Sequence, residues 1–254
     1  MEHSIILSKD GSSTLQLKDF QETYHSSNGA FSEAMHIYIR NGLEEVVHRQ
    51  ATHGNIHLPE EIYIYDIGLG TGLNCLLSLV WQLTAGNAPA LYYHAIEKYP
   101  IPPREAAQLN FPGYIAAHLP APENPAPASG PAFSENYLAE LFRKIHNAPW
   151  ETDTRLAPGF TLHKTKADVS AFHPHPDNRL CIIYYDTFSP ATQPGLWETA
   201  IFRRFHDAIP AESMLVTYCS KGTVKENLRE AGFTVKRRPG PAGKRHIVIA
   251  DKSM

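Results

Sequence analysis

The stretch that most constrains this chain is Asp66-Ile-Gly68-Leu-Gly70-Thr-Gly72. Just before it runs Ile62-Tyr-Ile-Tyr-Asp66, β-branched and aromatic with no polar interruption. That is how a strand covered on both faces reads. Just after it, Gly72 to Leu83 is largely apolar and long enough for a helix. Glycines between the two permit φ > 0 and let a ligand approach the backbone closely. A buried strand, a glycine turn and a helix open an α/β unit, and such sheets bind ligands at the carboxyl ends of their strands.

The rest of the sequence extends this pattern. Weak strands are expected at Ser4–Ser8 and Thr14–Leu17, and a helix from about Ser32 to His48, capped by Ser32 and interrupted near Gly42. Further strands are expected at Leu91–Ile96, Phe160–Lys164, Leu180–Tyr185, Ser213–Cys219, Phe233–Arg238 and His246–Ala250. Helices are expected near Ser134–His146, Gly195–Ala208 and Gly222–Ala231. The reading is an α/β fold: a doubly wound, mostly parallel, seven-stranded Rossmann-like sheet with an antiparallel terminal hairpin. Residues 1–50 are expected to form an N-terminal extension on a core of residues 51–254. Six prolines between 112 and 131 mark a loop or insertion rather than a packed element.

Composition narrows the class. Apolar residues make up 43% and charged residues 19%, which excludes a disordered or fibrous chain. The longest apolar stretch, Leu73 to Leu83, falls short of the ~20 residues that cross a bilayer. No basic, apolar leader precedes the first strand, so a cytoplasmic protein that engages no membrane is expected. Cys75, Cys181 and Cys219 lie far apart in apolar runs and read as buried hydrophobes. Neither His53-Gly-Asn-Ile-His57 nor His173-Pro-His175 offers a third ligand, so no metal is expected. Net charge is −3 overall, but residues 201–254 hold 11 Lys and Arg against 5 Asp and Glu. That local excess suits a polyanion.

A dinucleotide fingerprint, G-x-G-x-x-G, needs a third glycine at position 73, which is leucine. The spacing here is G-x-G-x-G behind an acid, the first motif of class I S-adenosylmethionine-dependent methyltransferases. There the turn contacts the adenosine and methionine ends, so Gly68, Gly70 and Gly72 are cofactor-binding candidates. Asp66 is a candidate acceptor for the ligand ammonium. Glu97 ends the second strand, where a carboxylate can accept both ribose hydroxyls. Asp168 follows the third, where an acid can cap the adenine amino group. Asp186 ends the fourth, in Asp186-Thr-Phe188-Ser-Pro190. Methylating an amine needs a neutral nitrogen aimed at the methyl, and a neighbouring carboxylate can orient it and accept its proton. Phe188 is a candidate for packing on a planar base. A small-molecule amine methyltransferase, a non-catalytic binding subunit and a nicotinamide oxidoreductase remain as alternatives.

The chain resembles the methyltransferase domain of MnmC-type enzymes, which modify the tRNA wobble uridine. The resemblance rests on His25-Ser-Ser-Asn28-Gly-Ala-Phe-Ser-Glu33, Tyr65 to Asn74, Ile96-Glu-Lys98 with Pro100, and Tyr185 to Pro190 with Trp197. It rests also on Thr217 to Gly222, Ala231-Gly-Phe233 and Gly243-Lys244-Arg245. It covers about residues 20 to 250. It implies methyl transfer from S-adenosylmethionine to the exocyclic amine of 5-aminomethyl-(2-thio)uridine in the tRNA anticodon loop. It further implies that Asp186 sits beside that amine and that Glu33 and Asn28 shape the cofactor pocket; the basic excess of residues 201–254 separately places Lys244 and Arg245 near the nucleotide. Asp66, Leu69 and Thr187 depart from the usual family residues. Bifunctional members also carry an FAD-dependent oxidase domain, for which 254 residues leave no room. The aminomethyl substrate is therefore expected to arrive by another route.

Overall fold

The computed structural model describes residues 3–17, 22–52, 59–86, 88–119, 134–175 and 178–253. The chain opens with an antiparallel hairpin of β1 (His3–Leu7) and β2 (Ser13–Leu17). A continuous helix follows: α1 (Ala30–Ala34), a π-helical stretch (Met35–Glu44) and α2 (Glu45–Thr52). It starts before Ser32, and Ser32 does not cap it. The hairpin turn does: the Ala30, Phe31 and Ser32 N–H groups donate to Ser8 Oγ, Ser12 Oγ and Asp10 Oδ2 at 3.0–3.1 Å. These are amides that a helix start leaves without internal partners. Gly42 does not interrupt the helix. A Cβ there would meet the Tyr184 ring at 3.2 Å and Val216 at 3.3 Å, so glycine lets the helix lie close on the sheet.

The main sheet has eight strands rather than seven, in the order β5-β6-β4-β3-β7-β8-β10-β9. These are β3 (Glu61–Ile67), β4 (Ala90–Ile96), β5 (Thr154–Ala157), β6 (Phe160–Thr165), β7 (Cys181–Tyr185), β8 (Met214–Thr217), β9 (Thr234–Pro239) and β10 (His246–Asp251). The extra strand is β5, antiparallel to β6 through a bulge. The five inner strands β6, β4, β3, β7 and β8 are parallel. The terminal hairpin joins β8 antiparallel.

Alternation along the central strands divides the core into two layers. Ile62 and Ile64 of β3 and Tyr184 of β7 face a layer covered by the N-terminal helix, α3 (Leu73–Thr84) and α6 (Glu135–Asn147). Tyr63, Tyr65 and Ile67 face the other, covered by α7 (Thr199–Ala208) and α8 (Gly222–Glu230). Fully burying each large apolar side chain contributes about 1.5–3 kcal/mol, and both layers are needed to cover a parallel sheet. All three cysteines are free and buried.

Two more helices lie after β4: α4 (Pro103–Ala106) and α5 (Phe111–His118). The second corrects the expectation of a loop beginning at residue 112. Pro112 sits in the first turn of α5, where a missing N–H costs no hydrogen bond. Residues 120–133, which hold the other five prolines, lie outside the described residues. The segment before α7 is likewise not α-helical from Gly195: Pro194–Trp197 is a short 3₁₀ turn. Among the described residues, no helix is long and apolar enough to cross a membrane, and no group of three or more His, Cys, Asp or Glu is placed to hold a metal ion. The pair His53 and His57 lies outside the described residues.

Candidate active site

The carboxyl ends of β3, β4, β6 and β7 meet at one rim, and a pocket of about 820 Å³ opens there. Its walls include Gly68, Gly70, Glu97, Asp168, Asp186, Phe188, Glu33 and Lys244, all expected from sequence. The turn after β3 forms because Gly68, Gly70 and Gly72 hold φ of 95°, 49° and 76°. At Gly68 the demand is strict, since a Cβ would lie 2.8 Å from the Asp186 carbonyl oxygen. The glycine turn and the end of β7 therefore touch backbone to backbone.

Glu97 and Asp168 line the wall at the ends of β4 and β6. Glu97 accepts the Gly70 N–H at 3.0 Å on Oε2 and the Tyr99 N–H at 2.7 Å on Oε1. Each oxygen keeps a lone pair for a further donor, which matches a pair of vicinal hydroxyls. Asp168 pairs with Lys98 at 2.8 Å and accepts from Ser170. The Lys98 ammonium chiefly holds its pKa at about 2, against the opposing effect of burial, with the Ser170 bonds adding to it. Asp66 differs from the expectation. It is wholly buried, and its Oδ2 accepts the Tyr93 hydroxyl at 2.7 Å. Burial pushes its pKa well above the usual range despite the Tyr93 bond, and Asp186 and Glu97 push the same way. It is not on the pocket wall, and its Oδ1 is buried without a hydrogen-bond partner among the described residues. Gly72 is also off the pocket wall; it caps α3 in a left-handed conformation against His146.

Asp186 stands at the end of β7, and its Oδ2 accepts from Asn74 Nδ2 at 2.8 Å. Asn74 lies in the first turn of α3 and is 4% exposed, so the amide is fixed by the core. Burial raises the Asp186 pKa to about 6. The nearby Tyr38 hydroxyl and the hydrogen bond from Asn74 restrain the rise, Glu33 adds to it and Lys244 opposes it. The loop that follows is pinned by Trp197 Nε1 donating to Phe188 O at 2.9 Å and Tyr218 Oη donating to Thr187 O at 2.9 Å.

Sequence reasoning missed the N-terminal wall. Glu22, Tyr24 and His25 line the pocket opposite the β7 loop. Glu22 accepts the Ser189 N–H at 3.2 Å and the Thr192 hydroxyl. The Tyr24 ring meets Phe188 edge-on at 5.2 Å. His25 hydrogen-bonds Thr14 at 3.0 Å and Thr71 at 3.2 Å, joining the hairpin to the glycine turn. Burial chiefly, with Lys244, holds its pKa to about 4, so the ring is neutral at physiological pH. Lys244 reaches Glu33 at 2.6 Å and lies 4.5 Å over the Tyr218 ring. Asn28 and Arg245 are not on the pocket wall. The Asn28 amide lies against Gly243, within 2.1 Å of where a Cβ would stand, and accepts from Lys9 Nζ at 2.9 Å. It shapes the hairpin turn instead.

The pocket's chemistry suits a cation-bearing nucleoside. Glu22, Glu33, Glu97, Asp168, Asp186 and Glu198 outnumber Lys98 and Lys244, and both lysines are already paired with acids of the set. A sulfonium and an ammonium gain from that surplus. Ile67, Ile96, Ala167 and Val169 add an apolar wall for a flat ring.

Residues 133–253 match the family model described as S-adenosyl-L-methionine-dependent methyltransferase. That match covers a little less than half of the chain. The chain is 28% identical over 252 residues to the "tRNA 5-methylaminomethyl-2-thiouridine biosynthesis bifunctional protein MnmC" of Burkholderia mallei (strain SAVP1), covering 98% of this chain and 35% of that one. The protein of the same name from Chromobacterium violaceum is 29% identical over 90% of this chain and 32% of its own. The chain thus spans about a third of the length of these relatives. Among solved structures, MNMC2 from Aquifex aeolicus superposes with a TM-score of 0.68 at 21% identity, over 99% of this chain and 70% of that one. A spermidine synthase from Thermotoga maritima gives 0.51 at 13%, over 99% and 69%. At these identities the two structures speak for the fold.

Proposed function

We propose that this methyltransferase methylates the exocyclic amine of 5-aminomethyl-(2-thio)uridine at the tRNA wobble position, giving the 5-methylaminomethyl nucleoside. The observation that carries the reading is the Asp186 carboxylate, raised to about 6 and held by Asn74 at the end of β7, against the glycine turn. The likeness to MnmC proteins over nearly the whole chain supports the choice of substrate. S-adenosylmethionine supplies an electrophilic methyl group and, having given it up, departs as a neutral thioether.

The chain's own residues do the rest. Glu97 holds the ribose hydroxyls, Asp168 the adenine end, and Gly68 and Gly70 let the cofactor lie on the turn. Phe188 and Tyr24 flank the entering base. Asp186 accepts a hydrogen bond from the amine, aims its lone pair at the methyl carbon and takes the proton released as the new N–C bond forms. A base of pKa about 6 is mostly ionised at pH 7 yet close enough to that pH to take a proton readily. Alignment of the reacting pair supplies most of the acceleration. Glu33 and Lys244 close the wall beside Asp186 and exclude water from it.

The test is digestion of tRNA to nucleosides after incubation with the purified protein and methyl-labelled S-adenosylmethionine. Label in 5-methylaminomethyl-(2-thio)uridine supports the reading. Label in a different nucleoside, with none there, overturns the substrate.

A further inference from the structure

The hairpin of β9 and β10 carries an open groove of about 570 Å³, lined by Lys236, Arg237, Arg238, Pro239, Arg245 and His246. We propose that this groove seats the phosphodiester backbone next to the nucleotide that enters the pocket, with Arg237 and Arg245 as its phosphate contacts. The proposal rests on the RNA reading above and adds where, and by which two groups, the polyanion is held.

The lining contains four cations and no carboxylate. β9 is the outer strand of the sheet and is exposed over most of its length. Cations on an edge strand also discourage unwanted strand pairing, so charge alone does not decide the matter. The pattern of ion pairs does. Lys236 is paired with Asp251 at 2.9 Å, Arg238 with Glu45 at 3.1 Å, and neighbouring Lys244 with Glu33 at 2.6 Å. Among the described residues, the side chains of Arg237 and Arg245 have no such partner and remain exposed. A guanidinium is a planar fork that can grip a phosphate through two parallel hydrogen bonds.

Position adds a second, independent argument. Lys244 lines the methyl-transfer pocket and Arg245 lines the groove, so one peptide unit separates the two. The turn that carries both is rigid. Lys244 N–H donates to Pro241 O at 2.9 Å, Gly240 N–H donates to Arg245 O at 3.2 Å, and Gly243 holds φ 85° against Asn28. A nucleotide whose base enters the pocket has its adjacent phosphate at this turn. The pocket walls carry an excess of acids, so they repel phosphate and leave the groove as the attractive edge of the rim.

Binding of a labelled anticodon stem-loop RNA is measured by fluorescence anisotropy across a salt series. Three proteins are compared: wild type, Arg237→Gln/Arg245→Gln, and Lys225→Gln/Arg229→Gln, which removes equal charge from α8. Each phosphate contact contributes roughly 0.7–0.9 to the slope of log affinity against log salt. The groove variant is therefore expected to lose roughly 1.4–1.8 from that slope, while the α8 variant keeps the wild-type value. Calorimetry with S-adenosylmethionine should give the same affinity for all three, which establishes that the variants fold. A groove variant with the wild-type slope, or an α8 variant that flattens it equally, overturns the proposal while the RNA reading stands. A wild-type protein that binds S-adenosylmethionine but has no affinity for the RNA at low salt overturns both.

Discussion

Asn74→Ala isolates the hydrogen bond that fixes Asp186, the carboxylate proposed as the base. Asn74 Nδ2 lies 2.8 Å from Asp186 Oδ2, and hydrogen bonding from Asn74 is one of the influences that keep the Asp186 pKa as low as about 6. A hydrogen bond to a charged group is worth about 1.5–3 kcal/mol, and about 1.4 kcal/mol corresponds to one pKa unit. Removing the donor should move Asp186 up by roughly 1–2 units, to about 7–8. At pH 7 the ionised fraction then drops from roughly 90% to roughly 10–50%. The assay is kcat/KM for methyl transfer between pH 5 and pH 9. Wild type should lose activity as pH falls through about 6, because the base becomes protonated. The variant should lose it through ~7–8 and recover much of its deficit at the alkaline end. Stability should change little beyond the lost packing, since Asn74 Oδ1 is already buried without a partner. An acid limb that stays near 6 would refute the idea that Asn74 tunes Asp186.

Other perturbations probe the frame around that pair. Glu97→Ala should weaken S-adenosylmethionine binding by ~1–3 kcal/mol in calorimetry, the cost of stranding the hydroxyls it accepts; unchanged affinity would remove Glu97 from the site. Gly68→Ala forces a Cβ to 2.8 Å from the Asp186 carbonyl at φ 95°. It should cost ~1–3 kcal/mol in urea unfolding and reduce turnover as well. In Asp10, burial favours the neutral form but hydrogen bonds from Ser12, Ser32 and Ser8 outweigh it and hold the pKa at about 2. Its contribution is present above pH ~4 and fades as pH falls through about 2. Asp10→Asn should thus cost ~1–2 kcal/mol at pH 7, allowing for solvent screening, and the difference from wild type should shrink towards pH 2.

How far the sequence foretold this arrangement depended on whether a residue's role was set locally. The glycine turn, the five parallel strands and the acids at their ends were legible because a buried strand and a positive-φ turn leave marks in consecutive residues. β5 was not, being four residues long with a bulge. α5 was hidden because Pro112 reads as a breaker until its place in the first turn is known. The cap of α1 comes from Ser8, Ser12 and Asp10, about 20 residues away, so no local signal could show it. Asp66 stands at the motif position of a ligand acceptor, but its burial and its Tyr93 partner come from the neighbouring strand and carry no local mark. Glu22 and Tyr24 were missed because their importance lies in facing Phe188 and Ser189 across the pocket. Lys244 and Arg245 are adjacent in sequence yet line different cavities, a divergence that only the hairpin turn decides.

The most direct test of the account is a single-turnover measurement on tRNA carrying 5-aminomethyl-2-thiouridine at the wobble position. Wild-type protein and Asp186→Asn are each saturated with methyl-labelled S-adenosylmethionine, and cofactor affinity is measured in parallel. The account predicts label in the wobble nucleoside with wild type, a loss of at least ~100-fold in the rate with Asp186→Asn, and nearly equal cofactor affinity. Transfer by Asp186→Asn at the wild-type rate would contradict it.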